Sequence, residues 1–272
     1  MRVLITGGCG FIGSNFIKLL FHTFSGDCNL GDSLLERFPR SSSEAELQVM
    51  NIDSLTYAGN LENVAGVEGF SGYEFSKTDI RDTSGISEIF EKFRPGYVVH
   101  FAAESHVDRS IDSGNIFVET NVLGTQVLLE CAREFGVKKF LHVSTDEVYG
   151  SLMPSDPPFL ETTPLNPKNP YSATKAASDM MVQAFVNTHG ISAVITRCSN
   201  NYGPNQFPEK LIPLMTLNAL AGDSLPVYGD GLQIRDWIHV EDHCNGIIDT
   251  MYGLKSGILS PGEVINFGAN NE

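Results

Sequence analysis

The chain has 272 residues, 42% of them hydrophobic, enough for one large α/β domain with or without a small appended lobe. Its 33 acidic against 18 basic residues leave a formal charge of −15, which argues against a nucleic-acid partner, because phosphate contacts need clustered Lys and Arg. The five cysteines, at 9, 28, 131, 198 and 244, form no C-x-x-C pair, so reduced thiols are expected rather than a disulfide framework or a metal site.

The opening MRVLITGG runs straight into a strand-like segment, with no charged-then-apolar leader. No apolar run approaches the ~18 residues of a bilayer span. A soluble, cytoplasmic protein without a membrane partner is expected. Strands are predicted at Arg2–Thr6, Leu47–Ile52, Tyr73–Lys77, Tyr97–Phe101, Lys139–Ser144 and Ala193–Arg197. Helical patterns fall at Phe11–Phe21, Ile86–Phe93, Phe117–Phe135 and Tyr171–His189. Strands alternating with helices predict an α/β, Rossmann-type doubly wound parallel sheet. Two stretches break the alternation. Residues 25–46, with GDCNLGDS and SSSEAE, predict a surface excursion. From near Asn200 the chain turns rich in Pro, Gly and Asn, and is expected to leave the sheet for a smaller lobe.

GGCGFIG at 7–13 follows the first strand and opens a helix. Gly7, Gly10 and Gly13 let the backbone turn tightly and approach a pyrophosphate at the helix N-terminus. The spacing is a variant of the G-x-G-x-x-G fingerprint, so the alternative of a plain Gly-rich turn stays open. Asp53 ends the second strand, placed to accept bonds from adenosine ribose hydroxyls and to repel a 2′-phosphate, which favours NAD over NADP. Asp53 lies about twice as far past the glycines as the usual ~20 residues, and the 25–46 excursion accounts for the excess. Asp79, ending the third strand, could meet the adenine. Ala102 and Ala103 would let a cofactor lie against the backbone, or serve close packing equally well. The domain reading is a dinucleotide-binding domain over 1–198 and a substrate-binding lobe over 199–272.

Tyr-x-x-x-Lys occurs twice, at Tyr73/Lys77 and Tyr171/Lys175. Four residues apart on a strand means ~13 Å; on a helix it means one face. Only the second pair opens a helix. There Lys175 can lower the pKa of Tyr171, whose phenolate can take a proton from a hydroxyl as hydride leaves the carbon. Thr145, Asp146 and Glu147 follow a strand at its carboxyl end, the ligand-bearing edge of such a sheet. Two carboxyls in different surroundings can serve as acid and base for an elimination. A solvated acidic turn and an exposed i,i+4 pair are the plainer alternatives.

The segments TGGCGFIGSNF, NIDSLTYAGNLENV, FAAESHVDRSI, TNVLGTQVLLE, STDEVYG, PYSATKAASD, SNNYGPNQFPEKLIP and GDGLQIRDWIHVEDH resemble the extended short-chain dehydrogenases/reductases. Within them they are most similar to the dTDP-glucose 4,6-dehydratases. The resemblance implies tightly held NAD and a cycle of oxidation at carbon 4, loss of water across carbons 5 and 6, and reduction at carbon 6. It assigns Tyr171 as base, Lys175 as holder of the nicotinamide ribose, Thr145 as a partner of the same hydroxyl, Glu147 as base at carbon 5 and Asp146 as acid at carbon 6. It implies cofactor contacts from Phe11, Ile12, Ser54, Thr56, Ile80 and Thr120 beside those above. It implies substrate contacts from Ser105, Asn200, Asn201, Glu209, Lys210 and Arg235, the last two suited to a diphosphate, and a homodimer. INFGANNE resembles a segment that members follow with a further helical region, so the lobe is expected to be incomplete at its C-terminus. The same reaction on UDP- or GDP-glucose, an epimerase or decarboxylase, and an inactive NAD-binding remnant are the competing expectations.

Overall fold

Short β-branched runs bounded by polar turns make poor helices and good buried strands. In the computed structural model seven of them pair in one parallel sheet. Residues 1–25, 47–153, 155–227 and 229–270 are described; apart from Ser25, the excursion expected over 25–46 lies outside them. The strands are β1 (Arg2–Thr6), β2 (Gln48–Asp53), β3 (Tyr73–Lys77), β4 (Tyr97–His100), β5 (Lys139–Thr145), β6 (Ala193–Cys198), β7 (Asn200–Tyr202), β8 (Trp237–His239) and β9 (Val264–Phe267). The sheet runs β3-β2-β1-β4-β5-β6-β9, and every neighbouring pair is parallel. The order reverses between β1 and β4, so a crevice opens at their carboxyl ends.

Helices α1 (Phe11–Ser25), α2 (Thr83–Phe93), α3 (Val107–Asp112), α4 (115–134, with a π turn over Val118–Gly124) and α5 (Pro170–His189) connect the strands. Successive residues of β1 point to opposite faces, and each face has its own core. Val3 and Ile5 join Phe16 and Ile17 of α1; Leu4 joins Phe90, Leu128, Phe140 and Val182. Local chemistry sets the bounds of α5. The Asn169 side chain accepts from Ser172 N in a capping box, Pro170 fills the first turn, and Gly190 ends the helix in the left-handed region at φ 67°.

Beyond β6 the chain has two parts. Residues 200–239 stand off the main sheet, with β7 and β8 paired parallel on their own and α6 (Leu211–Ala221) carrying no buried residue. Then α7 (Val240–Ser256) packs on α1, and β9 rejoins the sheet beside β6. Neither element was predicted from the sequence. No described helix is long and apolar enough to cross a membrane.

Candidate active site

The turn between β1 and α1 is built for backbone approach. Gly7 holds φ +72°, and a Cβ there would come 2.6 Å from Ala102 N. A Cβ on Gly13 would overlap the Gly7 carbonyl oxygen. This cradle, with the α1 N-terminus behind it, fits a pyrophosphate-bearing ligand. The Asp53 carboxylate accepts from Cys9 N at 2.9 Å and Leu55 N at 2.8 Å, which ties the end of β2 to the same turn. Burial pushes its pKa up. Asp79 is gripped by the Arg81 guanidinium, whose Nη2 lies 2.7 Å from it and whose Nη1 reaches Glu119 at 2.8 Å. That grip holds the Asp79 carboxyl below its ordinary range.

One cavity of about 420 Å³, a usual size for a ligand site, runs from this cradle across the sheet edge. Gly7, Gly10, Phe11, Ile12 and Gly13 form its floor at one end. Asp53, Ser54, Thr56, Asp79 and Ile80 line the end near β2 and β3, and Ala102, Ala103 and Thr120 the middle. Thr145, Glu147, Tyr171 and Lys175 line the same cavity, as do Ser105, Asn200, Asn201, Glu209 and Lys210.

Tyr171 and Lys175 sit one helical turn apart on the inner face of α5, 9% and 4% exposed. The other Tyr-x-x-x-Lys pair lies on strand β3, and Tyr73 there accepts from Asn51. Thr145 ends β5, and its hydroxyl accepts from Glu147 N at 3.2 Å, capping the 3₁₀ turn Asp146–Tyr149. Asn169, the cap of α5, donates to Glu147 Oε2 at 3.2 Å, so the turn and the helix start are bonded together. Asp146 accepts from the Thr145 hydroxyl at 3.3 Å. It does not line the cavity as Glu147 does, yet it is no solvated acid: burial, then the charge of Glu147, push its carboxyl up to about 6.

Two features differ from expectation. The Lys175 ammonium donates to the Val143 carbonyl at 2.8 Å, and burial lowers its pKa to about 8. Tyr171 is shifted upward, not downward: burial first, then Glu147, Cys198 and Asp146, raise it well above its ordinary value, while Thr145 opposes them. Desolvation and the neighbouring acids outweigh the expected help from Lys175. The second is Arg235. It is exposed, donates Nη1 to the Ile234 carbonyl at 2.7 Å and does not line the cavity, because residues 230–235 all lie at the surface.

Elsewhere on the cavity wall, Lys210 Nζ donates to the Ser105 carbonyl at 3.2 Å, and Asn201 Oδ1 lies 2.8 Å from His243 Nδ1. Glu209 is flanked by Arg109 at 3.4 Å and His106 at 3.5 Å. Glu104, Cys198, Phe207 and Trp237 also line the cavity and were missed in the sequence. Glu104 and Phe207 adjoin motif residues, which was the available signal; Trp237 is the chain's lone Trp and carried none.

A family model described as GDP-mannose 4,6 dehydratase matches residues 4–272. The dTDP-glucose 4,6-dehydratase of Neisseria meningitidis serogroup B is 45% identical over 100% of this chain and 72% of its own length. The crystal structure of the dTDP-glucose 4,6-dehydratase DesIV from Streptomyces venezuelae, solved with NAD bound, superposes with a TM-score of 0.86 at 45% identity, covering 98% of this chain and 76% of that one. The UDP-glucose 4-epimerase of Thermotoga maritima matches with a TM-score of 0.81 at 29% identity, covering 98% and 77%. Near-complete coverage at this identity, on a fold with the dinucleotide cradle and both motif pairs, means that the chain belongs to the dTDP-glucose 4,6-dehydratase family of extended short-chain dehydrogenases/reductases.

Proposed function

We propose that this chain is a hydro-lyase that converts dTDP-glucose to dTDP-4-keto-6-deoxy-glucose, with NAD held in the glycine cradle. The observation that carries the reading is one cavity onto which Tyr171, Lys175, Thr145 and Glu147 open beside that cradle, with Asp146 bonded to Thr145. A simple dehydrogenase or epimerase has no use for the Asp146/Glu147 carboxyl pair.

NAD, which Gly7, Gly10, Gly13 and Asp53 would hold, would supply the hydride acceptor for carbon 4 and the hydride donor for carbon 6. Tyr171 takes the proton of the carbon 4 hydroxyl, which Thr145 orients, and Lys175 holds the nicotinamide ribose. The new ketone acidifies carbon 5, so Glu147 can remove its proton. Asp146, whose carboxyl is pushed up to about 6, stays protonated further toward neutrality than an ordinary carboxylate and donates to the leaving carbon 6 hydroxyl. Water departs. Glu147 returns its proton to carbon 5 as carbon 6 is reduced. Tyr171 ends protonated and Asp146 ionised, and exchange of one proton with solvent resets both.

Asp53 contacts the adenosine ribose; Ser105, Asn200, Asn201, Glu209 and Lys210 hold the sugar nucleotide, with residues 199–272 as the substrate side. A cytoplasmic homodimer serving dTDP-rhamnose biosynthesis completes the proposal. Exposed Val118, Leu123 and Met180 on α4 and α5 supply an apolar face for pairing, which light scattering tests. The reaction is tested by incubation with dTDP-, UDP- and GDP-glucose. A 4-keto-6-deoxy product, read by its absorbance in alkali, is expected from dTDP-glucose. Turnover of another nucleotide sugar instead, or bound NAD with no turnover of any, contradicts the proposal.

A further inference from the structure

The helix that carries Tyr171 and Lys175 and the turn that carries Asp146 and Glu147 are separate elements. Arg197 of β6 joins them from beneath the cavity and is 5% exposed. Its Nε donates to Asp179 Oδ2 at 2.9 Å; Asp179 lies one helical turn past Lys175 on α5 and is 1% exposed. Its Nη1 donates to the Tyr149 hydroxyl at 2.8 Å, and Tyr149 closes the turn two residues after Glu147. That hydroxyl donates onward to Asn266 Oδ1 of β9 at 2.8 Å, so its oxygen is fixed both as donor and as acceptor. The Tyr149 ring stacks on Phe159 with centroids 4.9 Å apart. No step of the proposed reaction uses Tyr149, Arg197, Asp179 or Asn266.

We propose that Tyr149 and Arg197 are positioning residues for the elimination step: the buried chain Asp179–Arg197–Tyr149–Asn266 holds the acid–base turn in register with the Tyr171/Lys175 helix. A buried ion pair such as Arg197–Asp179 is by itself weak support for stability. The arm that reaches the turn is the bond from the guanidinium to the neutral Tyr149 hydroxyl. The oxidation groups have anchors of their own. Thr145 lies within β5, and Tyr171 N donates to the Ser110 hydroxyl at 3.2 Å. Glu147 has one further tie to α5, the 3.2 Å bond from Asn169, but Tyr149 holds the other end of the turn, and loosening that end displaces Glu147 and Asp146 more than Tyr171. A shift of about 1 Å in a catalytic group costs on the order of a hundredfold in rate.

The inference rests on the proposed dehydration, and two readouts keep the two apart. In single-turnover reactions with dTDP-glucose, Tyr149→Phe is expected to oxidise carbon 4 near the wild-type rate and to eliminate water about a hundredfold more slowly, so that reduced cofactor accumulates. Equal slowing of both steps, or no slowing, overturns it. Hydrogen exchange needs no substrate. The 144–150 segment should exchange faster in Tyr149→Phe than in wild type, while 171–175 and β1 are unchanged; equal protection of 144–150 overturns the inference whatever the turnover. Arg197→Lys keeps a charge on Asp179 but cannot fork to Tyr149, and it should reproduce both results if Tyr149→Phe folds poorly. Wild-type chain that turns over no dTDP-glucose contradicts the proposed function, and the exchange experiment still decides the tether.

Discussion

The carboxyl end of β5 and the stretch 200–239 face the same cavity but are built differently. Around β5 and α5, Tyr171 and Lys175 are buried and Asp146 and Glu147 half-buried, with Lys175 bonded to the Val143 carbonyl, Glu147 to Asn169 and Asp146 to Thr145. In 200–239 the polar groups Lys210 and Asn201 reach the cavity, yet α6 buries no residue, and Leu220 and Leu232 are 81% and 78% exposed. The chain spans 72% of the length of the Neisseria relative it matches. In the proposed reaction the proton- and hydride-transfer groups stand on the sheet edge and α5. The proposed grip on the rest of the substrate falls to a wall whose helix α6 buries nothing.

The sharpest way to break that comparison is at the chemical side. Tyr171→Phe removes the proposed base and keeps the shape; kcat is expected to fall about a thousandfold with cofactor still bound, as read by turnover and by the cofactor content of the purified protein. Next comes the sheet beneath it. Phe140 is 0% exposed, so Phe140→Ala should cost about 3–5 kcal/mol in denaturant unfolding. Asp146 links the site to stability. Its folded carboxyl is raised to about 6 by burial and Glu147, so its stabilising contribution is complete below the ordinary carboxylate pKa and is lost as pH rises through about 6. Asp146→Asn cannot ionise. It should unfold at higher denaturant than wild type above pH 6, by up to about 3 kcal/mol, with the gap closing near pH 4. At the loose wall, Leu220→Lys should change stability by less than about 0.5 kcal/mol. A loss of 2 kcal/mol or more there would mean that α6 is packed after all.

The sheet was legible because its strands are short β-branched runs separated by helical periods. Predicted and observed bounds agree within a residue for β1 to β6. The cradle and α5 were legible because glycine spacing and Tyr-x-x-x-Lys need particular backbones, and only the second Tyr/Lys pair sat on a helix. The elements α6, α7 and β9 were not. In α7 the apolar positions Val240, Cys244, Ile247, Met251 and Leu254 recur at helical spacing, but Gly246 and Gly253 weaken the pattern, since a glycine inside a helix costs about 1 kcal/mol against alanine. These glycines have packing reasons instead: a Cβ on Gly246 would collide with Phe267, and one on Gly253 would come 2.8 Å from Leu259. Arg235 was placed at the site by motif alone, and a motif in an exposed run carries no geometry. The pKa of Tyr171 was misjudged for a related reason. Sequence spacing shows which charge is a neighbour on the helix, not how deeply both are buried or what the Lys175 ammonium bonds to.

The most direct measurement is a single turnover of Glu147→Gln with dTDP-glucose, following cofactor reduction and product together. The account expects the cofactor to become reduced and stay so, with 4-keto-6-deoxy sugar forming at least about a hundredfold more slowly than in wild type. Product at the wild-type rate, or no cofactor reduction in either protein, would contradict it.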